Sequence, residues 1–147
     1  MLRMLQKTAL LITLLFTMQV ASAEQVEVRG EYKIHYSAFG STVLKPEIAA
    51  HYELVRSRYQ GVLNIAVQKT TDQNNKAHTA VVNATVKNLL GQTQNVKFKE
   101  IREGDAIYYI GAFRFNNEED LVFDVSVQPD AGVEPYTLRF QKKFYAD

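Results

Sequence analysis

Arg56 and Arg58 stand one residue apart. If the chain between them is extended, both side chains leave the same face and can turn two guanidinium groups on one pocket. Arginine holds a carboxylate or phosphate through paired hydrogen bonds, which makes the pair a candidate grip for an anionic group. The competing reading is structural: the same groups tie down a loop by binding backbone carbonyls, or a carboxylate such as Glu47 or Asp105. His35 and Asn64 join the two arginines as candidate ligand-binding residues. His35 shares a polar face with Lys33, and its bland reading is a surface histidine. Asn64 is a polar group among apolar neighbours and needs partners, because an unsatisfied buried amide costs about 1–3 kcal/mol. An Asn that satisfies backbone groups beside a long loop is the simpler reading of it.

Other chemistries find less support. No G-x-S-x-G elbow occurs, and none of Ser37, Ser41, Ser57 or Ser126 sits beside a histidine in a nucleophile setting. The carboxylates Glu118, Glu119 and Asp120 fall in a polar turn, where solvation is their simplest role. His35 and His51 do not carry metal-ligand spacing. The expectation is therefore no catalytic residue, no metal, no cofactor and no enzyme activity.

The N-terminus reads as a secretory signal peptide over residues 1–23. Arg3 and Lys7 supply the charged start, Thr8 to Val20 the apolar run, and Ala21-Ser22-Ala23 an A-x-A cleavage site. The run is too short to span a hydrocarbon core of roughly 30 Å as a helix. This predicts a single soluble domain over residues 24–147, exported to the periplasm, not lipidated and not inserted in a membrane. That region holds fifteen basic and sixteen acidic residues, a net charge of about −1, so a nucleic-acid partner lacks electrostatic support. All three methionines (Met1, Met4, Met18) lie before residue 24, and the chain has no Cys or Trp. Disulfides, thiolate chemistry and a thioether copper site are thereby excluded from the exported part.

The elements that must position these residues are strands. Val26, Val28, Tyr32, Ile34 and Tyr36 take even positions against Glu27, Arg29, Glu31, Lys33 and His35, which predicts one half-buried strand with a bulge or bend at Gly30. A long link, Ser37–Tyr59, follows. Pro46 to Leu54 can hold two helical turns with Ile48, Tyr52 and Val55 on one face, read as a plug at one end of the core. Gly61–Lys69 is apolar on both faces, as a central strand is. Thr70–Lys76 reads as loop, and a strand of Ala80 to Lys87 comes next. Val96 and Phe98 point inward against outward Lys97 and Lys99 in a guarded edge strand. After a turn at Gly104, Ala106–Phe115 is a strand whose Asp105 and Tyr109 have the spacing of a tyrosine corner. Leu121–Val127, a type I turn from Pro129 to Gly132, and a final strand from Tyr136 with a bulge near Lys142-Lys143 complete the pattern. Seven strands without βαβ spacing predict an all-β, immunoglobulin-like antiparallel β-sandwich with one short helix in the link; a closed barrel is the rival.

The strand ending in His35-Tyr36, the loop Phe39-Gly40-Ser41-Thr42, the turn Pro46-Glu47-Ile48, Arg56-Ser57-Arg58 and Gly61-Val62-Leu63-Asn64-Ile65 together resemble a bacterial family known as domain of unknown function 4426. The resemblance implies an exported, single-domain β protein of Gram-negative bacteria, and no activity. The residues themselves point to a periplasmic binding or accessory module that grips an unknown protein or small anionic ligand through the Ser37–Tyr59 region. The alternative is a chaperone or assembly factor presenting a sheet edge to an extended partner. A hydrolase or metal carrier ranks third.

Overall fold

The computed structural model of the protein describes residues 24–71 and 74–146; the signal-peptide reading at 1–23 lies outside them. The described chain forms ten strands: β1 (Gln25–Arg29), β2 (Tyr32–Gly40), β3 (Gln60–Thr71), β4 (Asn74–His78), β5 (Val81–Asn88), β6 (Thr93–Val96), β7 (Phe98–Glu103), β8 (Ala106–Arg114), β9 (Glu119–Gln128) and β10 (Tyr136–Phe144). Between β2 and β3 lie a 3-10 turn (Ser41–Val43) and a helix, α1 (Pro46–His51). The strands form two antiparallel sheets, the architecture expected. Sheet A runs β1-β2-β3-β8-β7 with β4 also on β3, and sheet B runs β10-β9-β5-β6. The inner faces meet in one core that includes Ile34, Leu63, Ile65, Val67, Val86, Phe123 and Val127, all fully buried.

Three more strands are seen than the pattern suggests, and each has a cause. The first predicted strand is a hairpin. Arg29 pairs with Tyr32 across a two-residue turn whose first residue, Gly30, takes φ +57°, a conformation that glycine adopts without steric cost. Even-numbered residues of β1 therefore oppose odd-numbered residues of β2. Val26 lies against His35 and Val28 against Lys33, so both valines are on the outer face and exposed. Thr70–Lys76 is not a loop throughout: β4 pairs with the end of β3 from Asn74 on, although its side chains are polar. The Thr93–Glu103 stretch divides at Lys97, with β6 in sheet B and β7 in sheet A. Both are edges, as outward lysines foretell.

Gly111 makes that crossing possible. A Cβ there would lie 2.3 Å from Val96 Cγ1 and 2.9 Å from the Lys97 carbonyl oxygen. Gly61 has the same service for Phe113, whose ring would lie 2.2 Å from an added Cβ. Phe113 then packs edge-on to Phe123 at 5.1 Å and to Phe144 at 5.2 Å, while Phe123 stacks on Phe140 at 4.7 Å. The bulge expected near Lys142 is absent. The β9–β10 ladder is continuous from Tyr136 to Phe144, so Lys142 shares the inward side of Leu138, Phe140 and Phe144. No tyrosine corner forms with Asp105; the Tyr109 hydroxyl instead accepts the Ala80 N–H at 2.9 Å, where the chain passes from β4 to β5. The type I turn closes one residue later than expected, from the Val133 N–H to the Asp130 carbonyl.

Candidate functional site

Strand β2 continues to Gly40 and β3 begins at Gln60, so the link proper is Ser41–Tyr59. It does not plug an end of the core. Tyr52 and Glu53 reach Glu103 and Lys99, the side chains of β7 turned away from sheet B, and Ala49 of α1 is 2% exposed. The helix stops at His51. Tyr52 caps it, and Glu53 turns the chain at φ +57°, so Val55 never reaches the face that Ile48 and Tyr52 were expected to share with it. Ile48 is 41% and Val55 62% exposed, and the small Ala49 is the buried residue of the helix instead.

Four fastenings hold the link. Buried Ser41 joins its two ends: its hydroxyl donates to the Ser57 carbonyl and accepts the Ser57 N–H, both at 2.9 Å. The Arg56 guanidinium donates to the Leu44 carbonyl from Nε at 2.8 Å and to the Thr42 carbonyl from Nη2 at 3.2 Å. The Tyr52 hydroxyl donates to Glu103 of β7, and Glu53 pairs with Lys99 of the same strand at 3.2 Å. The Glu103 carboxylate, with burial second, pushes the Tyr52 phenol up to about 12.

The four candidates taken from the sequence are not gathered at one point. Arg56 is turned back on the link, whereas Arg58 falls in a turn closed by the Gln60 N–H on the Ser57 carbonyl. Its guanidinium lies over the Tyr59 ring, 5.1 Å from the centroid. The two guanidinium groups are thus engaged separately, Arg56 on carbonyls of the link and Arg58 on the Tyr59 ring. Neither makes an ion pair among the described residues. His35 stands on the outer face of β2, with Nε2 2.8 Å from Gln68 Oε1 and Nδ1 3.4 Å from Glu24 Oε1. Asn64, opposite Ser37 on the outer face of β3, has a buried Oδ1 without a hydrogen-bond partner among the described residues, so the backbone bond expected of it is not made.

A second polar cluster, at the end of the sandwich away from the link, escaped sequence reasoning. Tyr32 donates its hydroxyl to Asp130, whose other oxygen lies 3.6 Å from His78 Nε2, and the Tyr32 and His78 rings meet edge-on at 5.5 Å. The Asp130 hydrogen bond, more than burial, pushes the Tyr32 phenol up to about 12. His78 Nδ1 lies 2.6 Å from the Thr79 carbonyl, which can only accept, so Nδ1 carries a proton and Nε2 faces the carboxylate. These residues are far apart in sequence and no spacing signals them. Among the described residues no group of three or more His, Asp or Glu side chains is placed to hold a metal ion. None of the described helices is long and apolar enough to cross a membrane.

A small two-sheet antiparallel sandwich with a fastened link on one outer face is the class this geometry defines. The chain belongs to the DUF4426 family, a domain of unknown function, whose model matches residues 15–147. A DUF4426 family protein from Pseudomonas aeruginosa has a similar crystal structure, with 32% identity and a TM-score of 0.72 over 84% of this chain and 96% of that one. FetP of uropathogenic Escherichia coli strain F11 shares the fold at 12% identity. Its form described as isolated has a TM-score of 0.57 over 84% of this chain and 94% of that one. A copper-bound variant of FetP gives the same identity and TM-score over 83% and 95%. A comparison with curated proteins found no match.

Proposed function

We propose that the protein is a periplasmic binding module, not an enzyme, and that the Ser41–Tyr59 link is its recognition surface for an acidic segment of a protein partner. The observation that carries this reading is the contrast between how firmly the link is fastened and what it displays. Val43 is 69%, Ile48 41%, Val55 62% and Tyr59 45% exposed on a segment held at both ends and across its middle. Ordering that many residues costs conformational entropy, and leaving apolar side chains in water recovers none of it. An ordered loop on a rigid sandwich is a common seat of binding. In this reading Arg56 keeps the surface in shape and Arg58, spread over Tyr59, is the cation it offers. The signal-like N-terminus supports the location, and FetP, which shares the fold, was recombinantly expressed in the periplasm.

Capture from a periplasmic extract tests it. Arg58→Glu combined with Val55→Asp is expected to abolish capture of a defined partner while the melting temperature stays within a degree or two. Undiminished capture by a folded double variant overturns the reading.

A second reading, strand addition at a sheet edge, is favoured by one observation. The outer strand β1 shows Val26 and Val28, 48% and 63% exposed, whereas edge strand β7 carries Lys99, Glu100, Arg102 and Glu103. Proline in place of Val28 then abolishes capture, and capture that survives it removes this reading.

A further inference from the structure

Where sheet A and sheet B part on the β2 and β10 side, they leave a cleft of about 350 Å³. Its lining includes Gln25, Tyr36, Ala38, Phe140, Gln141 and Lys142. Three features of this seam go together. In a two-residue hairpin the pair flanking the turn exchanges both backbone bonds, so Tyr32, Ile34 and Tyr36 direct their N–H and C=O groups at β1. Ala38 continues that series one pair beyond Gln25, and among the described residues no strand faces it there. Its carbonyl is met instead by a side chain from the other sheet: Lys142 Nζ donates to it at 2.5 Å.

The second feature is the lysine. Lys142 lies on the side of β10 turned to sheet A but is exposed at the seam, and its one hydrogen bond among the described residues leaves two N–H groups at the cleft, with the Phe144 ring 5.5 Å from the ammonium. No carboxylate lies within ion-pair distance of it among the described residues. Desolvation on the cleft side lowers its pKa, with no carboxylate beside it among the described residues to offset the shift. The third feature is the walls. Tyr36 and Phe140 stand ring to ring at 5.0 Å, and the Tyr36 hydroxyl is occupied by Gln25 Oε1 at 2.8 Å, which leaves the Gln25 amide NH₂ as a donor.

We infer that this seam is a binding site for a carboxylate carried on a small apolar body, with Lys142 pairing the carboxylate and the joined rings of Tyr36 and Phe140 forming one apolar surface beneath it. It is a separate site from the link. An anion supplies what Lys142 lacks, and the aromatic pair supplies apolar area. The carboxylate can belong to a free organic acid or to the C-terminus of a peptide.

The probes are benzoate and an acetylated apolar tripeptide, the latter with a free or an amidated C-terminus. Binding is followed on the purified protein by the amide resonances of Gln25, Tyr36, Ala38 and Lys142. Saturable shifts at these residues are expected with at least one acid probe, weakened at least about ten-fold in Lys142→Met and kept within a few-fold in Lys142→Arg. Benzoate alone identifies a free acid as the source. Response to the free tripeptide with none to its amide identifies a peptide terminus. If Lys142→Met does not fold, the side-chain amine resonance of Lys142 in the unaltered protein decides: it must move with the acid probe. No site-specific shift, or equal shifts in a folded Lys142→Met, overturns the inference and leaves Lys142 an exposed charge that guards the edge.

Discussion

Tyr32 and Tyr52 each donate a hydroxyl to a carboxylate, and that bond sets how the fold responds to alkali. Both phenols are pushed from 10.0 up to about 12 in the folded chain. A group whose folded pKa is raised stabilises the fold fully below its unfolded pKa and loses that contribution as pH climbs through the folded one. Stability is therefore expected to fall between about pH 10 and pH 12. A series of urea unfolding curves over that range checks it, and Tyr32→Phe with Tyr52→Phe is expected to flatten the decline while lowering the neutral-pH stability by about 1 kcal/mol per bond. Neither bond is legible in the sequence, because Tyr32 and Asp130 are ninety-eight residues apart and meet only through the sheet order. Asn64 shows the opposite case. Its discomfort on an apolar strand can be read directly from Val62, Leu63, Ile65 and Ala66, and the structure bears out the setting but not the partner.

At the scale of elements, the crossing from β6 to β7 rests on the missing side chain at Gly111. Gly111→Ala meets a side chain at 2.3 Å and a backbone oxygen at 2.9 Å, and the backbone cannot swing away. Its cost is expected at the upper end of the about 1–3 kcal/mol of overpacked cores, read from urea unfolding. The link behaves differently. Arg56→Ala removes two bonds to carbonyls at an exposed site, so a loss of about 1 kcal/mol or less is expected in global stability. The same change is expected to speed hydrogen exchange selectively over residues 42–55, since these amides then open without the rest of the fold. The strand pattern was legible because period-2 alternation survives in most of the chain. It misled at five places: a glycine turn that inverts parity after Arg29, a polar strand at Asn74–His78, a change of sheet at Lys97, a continuous ladder where a bulge was expected near Lys142, and a helix cut short by the turn at Glu53. Each is decided by backbone geometry or by a pairing partner distant in sequence, which alternation alone does not encode. The two arginines were visible as a pair, yet their directions depend on the turn at Ser57–Gln60, which no residue type there demands.

The whole molecule is laced by three passages between sheets: β4 to β5, β6 to β7, and β8 to β9. Neither sheet is a continuous stretch of sequence, so a fragment that ends before β8 is expected to stay unfolded, and the full chain to unfold in one transition by far-UV and near-UV circular dichroism alike. The same lacing sets an order in time. β3 carries apolar residues on both faces, and its neighbour β8 and strand β9 of the other sheet stand well further along the chain. A chain emerging from its N-terminus therefore shows Leu63, Ile65 and Val67 to water until residues past 120 have followed. For that interval the middle of the future core is its stickiest surface, and how quickly the second half arrives decides whether it finds β8 and β9 or another copy of itself.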